Sequence, residues 1–365
     1  MANKNLKYVD AMIGNPKYIS EQLPKLSASL TLSEMNYQFE RTSIIEGKIR
    51  DFYKYVINMP LTQTDRIIWG NGIPGVYMAV LYSIYKRLGN NRLWIDHASQ
   101  IPSYILFYEA ASTSLNYYYT FSKPEGLHFN DDLPTEWNFN DLSYNNYYKT
   151  DPDVFVAISP NNPTGEFADI DTITRRAKLS IENKRNNFWL IDEVYNVPLF
   201  NFNKYTEQPI KNHINPNNLV LFDSISKFGI PSARFGWCII NNPILDYDIW
   251  KYIKFNNKGT NQISYEYFNV YAEYYKNNVS ICKSIANTLY NRKVSIKNMI
   301  HKNLIIDHRD EVPYLMTKIP SDYFSKNNII ARDGLEFGLK SGMYSRLNLM
   351  LYKNEWDFLI KNIKY

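Results

Sequence analysis

The stretch Leu221-Phe-Asp-Ser-Ile-Ser-Lys-Phe-Gly-Ile-Pro-Ser-Ala-Arg-Phe-Gly-Trp237 is the most informative in this chain. Its first residues close a β-branched and aromatic run that predicts a buried strand. It then presents Ser224, Ser226, Lys227 and Arg234 in close succession. Gly229 and Pro231 lie between Lys227 and Arg234 and stop any regular helix or strand. Two hydroxyls, an amine and a guanidinium are thus held on a tight loop after a strand. That set suits a phosphorylated aldehyde: a lysine to form an imine, serine and arginine to hold a phosphate.

The same pattern recurs on either side. Asp153-Val-Phe-Val-Ala-Ile-Ser-Pro-Asn-Asn-Pro-Thr-Gly165 is a continuous apolar run ending in a sharp polar turn, as in a parallel strand covered on both faces. Asn187-Phe-Trp-Leu-Ile-Asp-Glu-Val-Tyr195 repeats it, with carboxylates at the C-terminal end. Residues 219–222 and 238–240 predict further strands, as do 91–97 and 115–121. Residues 66–69 predict a strand running into Gly70-Asn71-Gly72, with a helix expected from near Pro74. A glycine turn feeding a helix N-terminus favours phosphate through free N–H groups and the helix dipole, which singles out Gly72 and Ile73. Helices are expected over 43–57 and 172–183.

Short apolar strands alternating with helices predict an α/β fold: a mainly parallel sheet in a large three-layer αβα domain, with the chemistry just past the strand C-termini. From about Tyr252 the pattern changes. A long helical region to about Ile300 precedes strand-like pieces at 303–306, 312–317 and within Gly342-Met-Tyr-Ser-Arg-Leu-Asn-Leu-Met-Leu351. These predict a smaller α+β C-terminal domain. The expected division is an N-terminal arm over 1–35, the large domain over 36–250 and the small one over 251–365.

The composition, 45% hydrophobic and 21% charged over 365 residues, supplies a large core. A net charge of +5 with no Lys/Arg block argues against a nucleic-acid partner. Cys238 and Cys282 offer no disulfide framework, and His97, His128, His213, His301 and His308 are too scattered for a metal site. No apolar run reaches the length of a membrane span, and the first residues lack the apolar core of a secretory signal. A reducing, cytoplasmic setting is expected.

Ser159-Pro-Asn-Asn-Pro-Thr-Gly165, Asp192-Glu-Val-Tyr195 and Ser224-Ile-Ser-Lys227 followed by Arg234 occur in that order, each at the end of an apolar run. Together they resemble the fold type I, pyridoxal-phosphate-dependent aminotransferases of class I/II, over roughly Gly70 to the C-terminus. The Asn-Asn-Pro turn, the Lys227 loop and the Phe-Gly-Trp237 end also look like the alliinase and tryptophan-aminotransferase branch. The resemblance implies that Lys227 binds the cofactor aldehyde and then moves the proton between the substrate and the cofactor. It implies that Asp192 faces the pyridine nitrogen and keeps the ring an electron sink. Asn162 and Tyr195 would donate to the ring hydroxyl, and Tyr104 would stack on the ring. Ser224, Ser226 and Arg234, with backbone N–H groups near Gly72 and Ile73, would hold the phosphate. Arg346, with Asn162, would bind the substrate α-carboxylate, for which a planar fork is suited. Tyr37 would reach the partner subunit's phosphate.

Two departures stand out. Arg234 lies seven residues after Lys227, one fewer than the family usually shows, and Pro74 removes an N–H from the helix start. The function implied is an aminotransferase working by a ping-pong mechanism on an amino acid and a 2-keto acid, as a homodimer. A carbon–sulfur lyase, a decarboxylase and a non-catalytic descendant are the alternatives, because fold and cofactor residues do not separate them. No second substrate arginine is assigned; Arg41, Arg66, Arg92 and Arg332 are the possibilities.

Overall fold

The computed structural model describes residues 6–25, 41–89, 93–96, 104, 117–120, 153–165, 187–200, 218–256, 260–306, 312–337, 339 and 342–363. A short strand, β1 (Val9–Asp10), comes first. A seven-stranded sheet follows, made of β2 (Arg66–Asn71), β3 (Leu93–Asp96), β4 (Tyr117–Thr120), β5 (Val154–Ile158), β6 (Phe188–Asp192), β7 (Leu219–Ser224) and β8 (Phe235–Ile240). Their order is β2-β8-β7-β6-β5-β3-β4. β7, β6, β5, β3 and β4 run parallel, and β8 is antiparallel to both of its neighbours. All residues of β5, β6, β7 and β8 are buried, which accounts for their unbroken apolar runs.

Successive strand residues point to opposite faces of the sheet. Phe222 on β7 meets the Tyr77 ring at 5.6 Å, so the helix Gly72–Leu88 covers one face. Trp237 on β8 meets Phe52 at 6.1 Å and Phe268 at 5.4 Å, so the helices Ser43–Phe52 and Gln262–Asn277 cover the other. The result is the three-layer αβα arrangement. A polar chain runs through this second face: Trp237 Nε1 donates to Tyr53 Oη, which donates to Asp223 Oδ2. It satisfies groups whose burial would otherwise cost about 1–3 kcal/mol each.

Towards the C-terminus lie β9 (Tyr314–Thr317), β10 (Ile329–Ile330), β11 (Arg332–Asp333) and β12 (Ser345–Asn348). β11-β12-β9 form an antiparallel sheet, with Arg332 opposite Arg346 and Arg346 opposite Met316. A separate apolar cluster, including Ile296, Leu315, Phe324, Leu347 and Leu359, packs around these strands. The N-terminal residues join them. β1 pairs in parallel with β10, Asn348 N–H donates to the Ala11 carbonyl at 2.8 Å, and Lys17 Nζ meets Glu355 Oε1 at 2.6 Å. Arg292 anchors this packing, with its guanidinium between the rings of Tyr18 and Trp356 and Nη1 donating to the Leu349 and Leu351 carbonyls.

Several expected boundaries shift. The first long helix is α-helical only to Phe52, and Tyr53–Ile57 continue as a wider π turn closed by Asn58 in the left-handed conformation. The helix after β2 starts at Gly72, two residues before Pro74. The helical region expected from about Tyr252 to Ile300 consists of the end of the helix Pro243–Asn256 and the helices Gln262–Asn277 and Ser280–Met299. Residues 303–306, expected as strand-like, begin as a helical turn over Lys302–Leu304. The His301 side chain caps it by accepting from Asn303 N–H, and only Ile305 bridges to Thr317. The helix expected over 172–183 lies outside the described residues.

Candidate active site

The C-terminal ends of β5, β6 and β7, the start of the Gly72–Leu88 helix, the C-terminal sheet and an N-terminal segment converge on a cavity of about 420 Å³. That volume falls in the ~300–1,000 Å³ range of small-molecule sites. Strand register builds one end. Ser224, last in β7, pairs with Gly236 of β8, and Asn71, last in β2, pairs with Phe235. The loop from Ile225 to Arg234 therefore lies beside the turn Gly72–Ile73. Two glycines permit this approach. Gly72 has φ +76°, and a Cβ there would fall 2.7 Å from Arg234 Nη2. A Cβ on Gly236 would fall 2.6 Å from Ile73 N.

Arg234 itself takes the left-handed conformation, φ 51°, after the helical turn Pro231–Ala233. Such a backbone costs a non-glycine residue on the order of 1 kcal/mol. With this backbone the guanidinium lies against Gly72 and lines the cavity. Pro74 also lines the cavity, as the third helical residue, where its missing N–H is one of the four unpaired at any helix start.

Lys227 sits on the helical turn Ile225–Phe228, which Ser224 Oγ caps by accepting from Ser226 N–H. Its Nζ donates to the Gly14 carbonyl at 2.8 Å and lies 5.2 Å from the centre of the Tyr195 ring. Asp192 ends β6, buried, with Oδ1 accepting from Val194 N–H at 2.9 Å. Burial pushes its pKa up to about 7, against the Val194 N–H and the charge of Lys227. The sign follows from linkage. Between its ordinary range and about 7, the folded chain keeps a proton that the unfolded chain has lost, so stability falls as pH rises through that window. The melting temperature of cofactor-free protein is expected to drop between about pH 4 and pH 7. Asp192→Asn should flatten that slope; an identical slope in the variant would contradict the assignment. The buried Asp223 shifts in the same direction, so some slope should remain.

Arg346, on β12, is 1% exposed. Nη1 donates to Asn162 Oδ1 and Nη2 to the Met12 carbonyl, both at 2.6 Å. The first bond fixes the Asn162 amide with its nitrogen as the donor end. The guanidinium stacks on the Tyr314 ring at 4.2 Å, and its Nε is buried with no hydrogen-bond partner. Among the described residues no carboxylate pairs with it. Burial lowers its pKa. A guanidinium in this state is costly unless an anion joins it. Beside it, the hydroxyls of Tyr195 and Tyr314 meet at 2.5 Å, and burial followed by the Tyr314 charge raises the Tyr195 pKa.

The structure brings Lys227, Asp192, Tyr195, Asn162, Ser224, Ser226, Arg234, Ile73, Tyr104 and Arg346 onto this one cavity; Gly72 stands behind Arg234. Of the four possible second arginines, Arg332 lines the cavity. Arg41 and Arg66 instead pair with Asp246, at 2.7 and 3.5 Å, away from it. Arg92 and Tyr37 lie outside the described residues. The sequence did not single out Ile13, Gly14 and Asn15, or Tyr314, which also line the cavity. Their places depend on tertiary pairing, and Tyr314 carries no local signal in a chain with 31 tyrosines. Cys238 and Cys282 are buried and free. Among the described residues no group of His, Cys, Asp or Glu could hold a metal, and no helix is long and apolar enough to cross a membrane.

Residues 27–302 match the family profile described as Allinase. The L-serine phosphate decarboxylase of Campylobacter jejuni is 25% identical over 249 residues, 65% of this chain and 56% of that protein, so the match spans little more than half of the relative. Among solved structures, an aminotransferase from Staphylococcus aureus superposes with a TM-score of 0.71 at 18% identity, over 98% of this chain and 93% of its own. The PLP-bound C-S lyase from Staphylococcus hominis gives 0.68 at 16%, over 99% and 94%.

Proposed function

The chain belongs to the alliinase family, and we propose that it is an amino-acid aminotransferase. Its cofactor is pyridoxal 5'-phosphate. The residues present fit that group. A lysine amine, a buried acid and a serine/arginine cluster face one cavity, and Gly72 lacks the side chain that would displace Arg234. When bound, the cofactor supplies an electron sink for the substrate α-carbon.

The protein's part is positional and acid–base. Lys227 Nζ would hold the cofactor through its aldehyde, and its free amine would serve to carry the α-proton of the substrate. Asp192 keeps the ring nitrogen protonated. A bound ring cation would favour the ionised carboxylate that burial disfavours. Asn162 and Tyr195 donate to the ring hydroxyl, with Tyr195 held by Tyr314. Ser224, Ser226, Arg234 and the Ile73 N–H would take the phosphate, and Tyr104 would stack on the ring. Arg346, steered by Asn162, takes the substrate α-carboxylate. The observation that carries the proposal is this buried guanidinium without a counter-ion, lining the same cavity as Lys227.

Decarboxylation is the second reading, favoured by the 25% identical relative. Incubation of the loaded protein with an amino acid alone separates them. An aminotransferase stops after one half-reaction with a stoichiometric amount of keto acid; a decarboxylase or lyase keeps turning over. Continuous release of carbon dioxide or ammonia would rule out transamination as the main activity. The proposal includes a homodimer in the cytoplasm, and light scattering at micromolar concentration tests the dimer.

A further inference from the structure

Arg332 and Arg346 face each other across β11 and β12, in direct register, and both line the cavity. The two guanidiniums share it with Lys227 and Arg234, and Asp192 is the one carboxylate among the described lining residues. In the assignment above, Lys227 and Arg234 belong to the cofactor and Asp192 to its ring. Two positive charges remain for the substrate. A single α-carboxylate answers one of them inside the cavity, and the acid paired with Arg332, Glu336, is not among the lining residues.

Arg332 is built to be held in place. Glu336 Oε2 accepts from its Nε and lies 3.0 Å from its Nη2, and its guanidinium lies over the rings of Tyr104 and Phe337 at 5.9 and 5.4 Å. Among the described residues its Nη1 makes no hydrogen bond. The acid that orients it is 44% exposed at its side chain, so it faces solvent and does not line the cavity. Among the described residues no carboxylate pairs with Arg346, and its Nε makes no hydrogen bond. Two neighbouring like charges in a half-enclosed site repel, and Arg332 contributes to lowering the Arg346 pKa. A second anion relieves both.

We propose that the substrate is an α-amino acid whose side chain ends in a second anionic group, a phosphate monoester or a carboxylate, and that Arg332 binds that group. This inference rests on the cofactor and amino-acid chemistry proposed above. On the cavity side Arg332 lies near the ring of Tyr104, which brings no opposing charge, and hydrogen bonds between a guanidinium and an anion are among the strong ones.

The test uses the loaded protein with O-phospho-L-serine, L-aspartate, L-serine and L-alanine. Binding is followed by the change in the cofactor's visible band, alongside turnover. At least one of the two dianionic amino acids should bind about 10- to 100-fold more tightly than the neutral ones, the range expected for a charge-assisted contact. Which of the two leads distinguishes phosphate from carboxylate. Arg332→Gln should remove that preference, lowering the affinity for the favoured dianionic amino acid by about 10-fold or more relative to L-alanine. Equal affinity of the unaltered protein for all four would overturn the inference even if the variant failed to fold. So would an equal loss for every amino acid in Arg332→Gln. A protein that never takes up pyridoxal phosphate would overturn the proposed function itself, and that failure shows in the absorbance before any amino acid is added.

Discussion

Lys227→Ala is expected to give a protein that folds, dimerises and shows no covalently held cofactor. The visible band of the bound aldehyde should be absent after desalting, and turnover should fall roughly 10³-fold or more, since one residue serves as attachment point and proton carrier. Little stability should be lost. Among the described residues the Nζ makes one hydrogen bond, to the Gly14 carbonyl, and the packing of its turn rests on the buried Ile225 and Phe228 on either side of it. A melting temperature within a few degrees of the unaltered protein would confirm that chemistry alone was removed. Retention of a borohydride-reducible adduct in the variant would place the attachment elsewhere. Added methylamine offers a further check. A small free amine should restore part of the proton transfer if the missing amine is the only defect.

Arg346→Gln should show the opposite pattern. The cofactor band should remain, because Arg346 touches Asn162 and the Met12 carbonyl and stands apart from the Ser224–Arg234 end. Amino-acid binding should collapse. Removing one partner of a buried, hydrogen-bonded charge pair costs about 2–5 kcal/mol, or about 30- to 4,000-fold in kcat/KM. Most of that should appear in KM if the carboxylate is held equally in ground and transition states, and in kcat if it sets the orientation of the reacting bond. Unchanged kcat/KM for every amino donor would remove Arg346 from the substrate site.

Much of the fold could be read from the sequence because it rests on short-range pattern. β5, β6 and β7 are buried on both faces, so their residues must be apolar without interruption, and each ends where a polar turn begins. The residues at those ends, Asn162, Asp192 and Lys227, can therefore be grouped from the sequence, and they line one cavity. What could not be read depends on contacts between distant segments. Nothing local marks Gly14 as a partner of Lys227, or Met12 as a partner of Arg346. Arg332 gained meaning only once β11 was paired to β12, which sets it opposite Arg346. Arg234 departs from the spacing the resemblance implies, and a left-handed arginine is a backbone state that no residue preference announces. The 303–306 segment reads as strand by composition, but a cap from the His301 side chain turns it into a helical start.

The pairing of Val9–Asp10 with Ile329–Ile330 has a consequence for synthesis of the chain. A ribosome adds about 5–20 residues per second. The first strand therefore waits on the order of half a minute for its partner to be made. Until then the Met12 and Gly14 carbonyls cannot be fixed over Arg346 and Lys227, even with the central sheet complete. The wall of the cavity that comes first in the chain is thus among the last to set, and the emerging protein can offer Lys227 to an aldehyde before it can enclose what binds there.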